Sequence, residues 1–447
     1  MTPHNEPAIQ AAEGFRSLEE TLKRRWFIWA SPMMVFIIGY FHRIAPAVIA
    51  ADLMSTFQTS GVVLGALSSV YFYVYAFMQI PSGILSDTWG PRKTMTIGAL
   101  VMGAGSVLFG LSPTLAFCYS GRFLVGLGVS VMMVNIMRIC VEWYRPDEMG
   151  LMNGLTTALG ALGGLLATAP LAAMSAAAGW RLSFVIVGIL SALLGWNCWR
   201  AVRDRPADCG LPPLLPEIHA GMEKPKIKTA LLAVFRNRHT WPPFLGFMSF
   251  YSSLMAFSGL WGVPFLKQAY GISAQEAANY MMLVSLGLVS GCPIVGWFSD
   301  KALGRRKLPY VICALLYSFV WGIICFTKGG RPPQEYMVVL CFALGFFSAA
   351  FILSIVLTKE LNPLNLSGIA MGTCNTGGFL ASAGMQVLLG KILDMHWTGT
   401  VEEGVRIYTL HAYRTAFLIC FAVALLGFAA ALTLKETHCR NWNHRSG

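Results

Sequence analysis

Apolar runs of about 20 residues or more recur along this chain, and no other feature limits its fold so strongly. Lipid cannot satisfy backbone N–H and C=O groups, so only helices and closed barrels cross a bilayer. The runs are long and do not alternate in ten-residue segments, which selects helices. Twelve such spans can be drawn: 26–50, 61–82, 95–112, 116–141, 149–174, 182–200, 241–266, 277–298, 309–327, 336–357, 367–390 and 412–434. Each is long enough to cross roughly 30 Å of hydrocarbon at 1.5 Å per residue. Of the 447 residues 55% are hydrophobic and only 12% charged, against about 25% charged in a soluble domain. Mean hydropathy is +0.59. The expected fold is an all-α membrane protein of twelve transmembrane helices.

The net charge of +12 does not point to nucleic acid, because Lys and Arg accumulate in cytoplasmic loops of membrane proteins. With the N-terminus inside, about 23 of the 33 Lys and Arg fall on the cytoplasmic side. "KRRW" (Lys23 to Trp26) precedes span one, and Arg200, Arg203, Arg205, Lys224, Lys226, Lys228, Arg236 and Arg238 crowd the connection after span six. That connection, residues 201–240, contains "RDRPADCGLPPLLPE" and reads as a linker. It divides a six-helix bundle at 26–200 from another at 241–434. Tails at 1–25 and 435–447 are expected on the cytoplasmic side of a cell inner membrane. The first 15 residues lack Lys and Arg, so no signal peptide is read there. The 11 cysteines have no CxxC or Cys-His spacing, and residues such as Cys140, Cys313 and Cys374 are read as packing residues, with no metal site or cofactor expected.

The two sets of six spans echo each other. "GILSDTWGPRK" (Gly83 to Lys93) follows span two, and "GWFSDKALGRRK" (Gly296 to Lys307) follows span eight. "GWRLSF" (Gly179 to Phe184) opens span six and "AYRTAF" (Ala412 to Phe417) opens span twelve. Two halves related by duplication suggest a transporter with its site near the midplane between them.

At these residues the chain resembles the major facilitator superfamily over nearly its whole length. The family's G-x-L-x-D-r-x-G-r-r/k signature is met by Gly83, Leu85, Asp87, Gly90, Arg92 and Lys93, with Thr88 replacing the first basic residue. Gly296, Asp300, Gly304, Arg305, Arg306 and Lys307 form a second copy with one extra residue. The helix-four pattern R-x-x-x-G-x-G appears as Arg122, Gly126 and Gly128. The resemblance implies alternating access. Asp87 and Arg92, and Asp300 and Arg305 in the second copy, are expected to act as a conformational latch. The glycines are expected to allow a tight turn and close helix approach.

Ionisable residues inside spans are functional candidates because burying an unpaired charge is costly. Arg43 lies deep in span one, in "GYFHRIAP", and its planar fork suits a carboxylate or phosphate. His42 can exchange protons near neutrality but points about 100° away from Arg43 on a helix. Arg138 and Glu142 have i, i+4 spacing and either pair or couple to an ion. Arg122 is the fourth candidate for ion coupling. Tyr40, Tyr71, Tyr75, Tyr251, Trp261 and Asn375 are candidate cavity-lining residues. "YFHR" and "CVEWYRPDEMGLMNG" (Cys140 to Gly154) resemble the organophosphate:phosphate antiporters and related anion:cation symporters. Phosphate-ester exchangers carry a second Arg in span seven, where this chain has Met255.

The function expected from these readings is a secondary active transporter. It would import a small organic anion of carboxylate type, which extends to an organic-acid metal chelate, coupled to protons or sodium. Efflux of an amphipathic compound by proton antiport, and phosphate-ester exchange, are the alternatives. "GALGGLLATAPLAA" in span five lacks the Gly-Pro pair usual in antiporters of the superfamily, which weakens the efflux reading. A transport-derived sensor would need a docking surface for which the linker and tails leave little room. There is no P-loop, and no enzymatic reading survives. The expected partners are the bilayer, the anion and the coupling ion, and the expected state is a monomer.

Overall fold

The computed structural model describes residues 6–145, 148–212, 227–363 and 366–439. Lys224 and Lys226 of the expected linker, Pro146 and Asp147 of "CVEWYRPDEMGLMNG", and the last residues of the expected C-terminal tail lie outside them.

The described chain is almost entirely helical. Ten stretches are long and apolar enough to cross a membrane, and an eleventh is the pair Gly61–Phe77 and Gln79–Trp89, bent by 52°. One of the ten, Leu151–Ala201, has 51 residues, about 77 Å of helix if straight and more than twice the hydrocarbon thickness. It breaks at Gly179, whose φ is 77°, and so supplies spans five and six. The result is twelve spans. Span one is longer than its apolar run: the helix runs Glu6–Val48, into the segment the charge pattern assigns to a tail. The linker region contains a helix of its own, Ile227–Arg236. Spans eleven (Ser367–Met395) and twelve (Leu410–Leu432) are joined by a two-stranded hairpin, Val401–Glu402 against Val405–Arg406, which no sequence signal announced.

The sequence echoes have a physical basis. Arg181 Nη1 donates to the carbonyls of Gly110 and Ser112 at the C-terminal end of span three (Pro91–Gly110), at 3.4 and 2.5 Å. Arg414 Nε donates to Cys325 O at 3.1 Å, at the C-terminal end of span nine (Lys307–Phe326). Each cation satisfies orphan carbonyls at the negative end of a helix. The other ends of the same helices are capped by carboxylates. Asp204 Oδ1 accepts from Arg92 N at 2.7 Å, and Glu436 accepts from Arg306 N and Lys307 N at 2.7 and 3.0 Å.

The signature loops differ from expectation in three respects. Gly90 and Gly304 have φ of 81° and 58° and make the turns, but a Cβ on Gly83 or Gly296 would meet nothing within 4 Å. Close helix approach is therefore not what those two glycines serve in this conformation. Arg92 is turned toward span six: Nε donates to Trp199 O at 2.8 Å and the guanidinium lies 4.2 Å from the Trp199 ring. In the second copy the cation that pairs with Asp300 is Arg306. Arg306 is buried and pairs with Asp300 and with Glu360, the latter at 2.9 Å. Arg305 is exposed.

The halves meet along span two against span eleven, and span five against span eight (Ala274–Trp297). Small residues allow this approach. A Cβ on Gly65 would stand 2.5 Å from Gln386 O, and Ser69 Oγ donates across the interface to Ala383 O at 2.6 Å.

Candidate substrate site between the halves

Arg43 is only 4% exposed. Five aromatic rings lie within cation–π range of its guanidinium: Tyr40 at 4.2 Å, Phe379 at 5.0 Å, Tyr75 at 5.4 Å, Tyr71 at 5.7 Å and Tyr251 at 6.0 Å. Tyr40 shares a helix face with Arg43 at i, i+3, and Tyr71 and Tyr75 share one at i, i+4. The other two rings come from spans seven and eleven, in the opposite half. Tyr75 and Phe379 stack across the divide with centroids 4.1 Å apart and planes at 17°. Arg43 Nη2 also donates to Tyr71 Oη at 3.4 Å, and that hydroxyl donates to Gly39 O at 3.3 Å. Among the described residues, Arg43 Nε and Tyr251 Oη are buried without a hydrogen-bond partner.

A second guanidinium also lies beside Tyr71. Arg122, 1% exposed, sits 5.2 Å from the Tyr71 ring centroid. Its anchor follows from the sequence. Pro46 has no N–H to give to the carbonyl four residues earlier, and that carbonyl, His42 O, accepts Arg122 Nη1 at 2.7 Å. Nε and Nη2 of Arg122 have no partner among the described residues. Among the described residues no carboxylate pairs with either Arg43 or Arg122. Two cations are therefore buried with rings and carbonyls around them but no counter-charge. The ring quadrupoles offset part of the desolvation cost, about 2 kcal/mol for a well-placed desolvated pair, and leave the charge itself unbalanced.

The remaining candidates separate. His42 turns its ring toward Phe41 and Phe184, at 5.6 and 5.9 Å, inside its own half, and neither ring nitrogen has a hydrogen-bond partner among the described residues. Arg138 and Glu142 pair with each other at 3.4 Å. Trp261 is fully buried and its Nε1 donates to Gln386 O at 3.3 Å. Asn375 Nδ2 donates to Gln79 Oε1 at 3.3 Å, from one half to the other. Span seven passes from α-helix (Trp241–Ala256) into a π-helical turn, Phe257–Trp261, the kind of irregularity often found at functional sites. There Met255 O accepts Gln386 Nε2 at 3.2 Å. Met255 itself is apolar and buried, so span seven offers Arg43 a phenol ring rather than a second guanidinium. Sequence reasoning missed Phe379 and Gln386. Phe379 lies four residues after Asn375, on the same helix face, and that spacing was its available signal.

The family model described as Major Facilitator Superfamily matches residues 32–263 and again 244–446. The chain is 26% identical over 445 residues to "Membrane sensor protein UhpC" of Salmonella typhimurium, covering 93% of this chain and 95% of that protein. It is 26% identical over 387 residues to "Probable sulfoacetate transporter SauU" of Cupriavidus necator, covering 84% of this chain and 89% of that one. Among solved structures it resembles a bacterial homologue of the human lysosomal transporter Spinster, with a TM-score of 0.73 and 16% identity, over 92% of this chain and 98% of the other.

Proposed function

The chain belongs to the Major Facilitator Superfamily and is a multi-pass membrane transporter of that type rather than an enzyme; from that premise we propose that it imports a small organic anion of carboxylate or sulfonate type by alternating access, coupled to protons or sodium. The observation that carries this reading is the uncompensated Arg43 guanidinium enclosed by rings from both halves. An anion there would supply the missing counter-charge, and the Arg fork can donate two parallel hydrogen bonds to a pair of oxyanion oxygens. Rings from both halves make occupancy sensitive to how the halves sit, as alternating access requires. SauU is described as a probable sulfoacetate transporter, a small organic anion, which supports the class. Met255 in place of a span-seven cation weighs against phosphate esters.

The two halves, 26–200 and 241–434, rock about this site, and the Gly90 and Gly304 loops face the cytoplasm together with both tails. His42 and the Arg138–Glu142 pair are the ionisable groups proposed to follow the coupling ion. The test is thermal stabilisation of the purified protein by a panel of carboxylates, sulfonates, sugar phosphates, iron chelates and hydrophobic cations. A carboxylate or sulfonate should raise the wild-type melting temperature and leave Arg43→Ala unmoved. Stabilisation by hydrophobic cations, undiminished in Arg43→Ala, would replace this reading with efflux. Anion binding with no uptake in proteoliposomes would favour a sensor.

A further inference from the structure

We propose that Asp394 is the outer-gate residue of the transport cycle: its carboxylate ties the two halves together at the end opposite the Gly90 and Gly304 loops, and its release opens the site to that side. The assignment does not depend on which anion is carried.

Asp394 closes span eleven, in the second half of the chain. Its Oδ1 accepts from Gly61 N at 3.0 Å and its Oδ2 from Val62 N at 2.7 Å. These are the first two N–H groups of span two (Gly61–Phe77), in the other half. The third, Val63 N, donates to Ser60 Oγ at 3.4 Å. The helix N-terminus is thus capped twice, locally by Ser60 and from across the molecule by Asp394. One turn earlier on the same face, a Cβ on Gly390 would collide with the Gly61 backbone, and one on Gly61 would stand 2.7 Å from Tyr408 Oη. The contact is continuous from the cap to Ser69 and Ala383.

The second half also holds Asp394 without help from the first. Tyr408 Oη donates to Oδ1 at 2.7 Å and Arg406 Nη1 at 3.2 Å. Arg406 lies 4.2 Å from the Trp397 ring. Gln268 braces this hairpin: its Nε2 donates to Arg406 O at 3.1 Å, and its Oε1 accepts from Tyr408 N and Tyr413 Oη at 2.9 and 3.0 Å. When the halves part, the carboxylate keeps Arg406 and Tyr408, while Gly61 and Val62 N–H turn to water. No charge is orphaned on opening, which makes the tie reversible. A purely structural cap has no need of such a reserve of partners.

The experiment reads interspin distances in the full-length protein in lipid nanodiscs, with Cys209 and Cys439 replaced by Ser, since the other cysteines are buried. One pair of labels goes at exposed Thr56 and Glu403 across the outer end, and another at exposed Thr88 and Lys301 across the inner end. Without substrate the wild type should favour the short outer distance. Asp394→Asn loses the charge and one N–H partner, and should raise the outer-open to outer-closed ratio about ten-fold, with the inner pair closing in step. Arg406→Gln disturbs the same carboxylate and hairpin but spares the tie to Gly61 and Val62, so it should stay closed. Wild-type distances in D394N, or equal opening in D394N and R406Q, would overturn the proposal. If D394N does not fold, Asp394→Glu decides: it keeps the charge but displaces the carboxylate, so it should open the outer pair more than R406Q, and an outer pair as closed as the wild type counts against the gate.

Discussion

Arg43 shows how much one side chain can carry. A guanidinium in an apolar run was legible from sequence because such a charge is costly without a role, and Tyr40, Tyr71, Tyr75 and Tyr251 do gather round it. Phe379 offered only its spacing of four residues from Asn375, which does not reveal that the opposite half brings a cation to it. His42 was ambiguous from spacing, and its ring turns to Phe184 inside one half. Replacing Arg43 by Lys keeps a charge but loses the flat fork. Binding of the anion should then fall by about ten-fold or more, measured by isothermal titration. Undiminished affinity in R43K would mean that only point charge matters. Outside the membrane, Glu436 makes a pH-dependent contribution. Partial burial acts to raise its pKa, but the N–H groups of Arg306, His438 and Lys307 outweigh that and hold it below the ordinary carboxylate value. A depressed carboxylate stabilises the fold above its unfolded pKa of about 4.3 and loses that contribution as pH falls through the folded value. The melting-temperature gap between wild type and Glu436→Gln should therefore be widest near neutrality and shrink in acid. A gap independent of pH would contradict this.

Among elements, spans three and nine make the clearest comparison. Each is held at its C-terminal end by an Arg from the span that closes its half and at its N-terminal end by a carboxylate just beyond that span. The Arg echo was legible, as "GWRLSF" and "AYRTAF". The carboxylate echo was not, because Asp204 and Glu436 sit in dissimilar local sequence and only the folded ends reveal their shared task. Removing either Arg should cost about 1.5–3 kcal/mol, the range for a hydrogen bond from a charged donor. Denaturant titrations of Arg181→Ala and Arg414→Ala should give similar losses. A loss in only one would break the equivalence of the halves at this position. Which of two adjacent arginines pairs with Asp300 was not legible for a related reason: the residue inserted after Asp300 shifts the register, and it is Arg306 that turns inward to Glu360.

For the whole molecule, twelve apolar runs and one duplicated signature were enough to give the fold, since lipid leaves so few alternatives. What the sequence could not give was the join between the halves. The Tyr75–Phe379 stack, the Asn375–Gln79 bond and the Asp394 cap each bring together residues about 300 positions apart whose local sequences do not mention one another. Transport must remake that join in every cycle, so the central claim is that an anion at Arg43 is moved and not merely held. The direct measurement is counterflow into proteoliposomes of the anion that best stabilises the protein, for wild type and Arg43→Ala side by side. The account predicts saturable uptake by the wild type, competed by other small carboxylates or sulfonates, and uptake at the level of empty liposomes for Arg43→Ala. Equal uptake by the two proteins would contradict it.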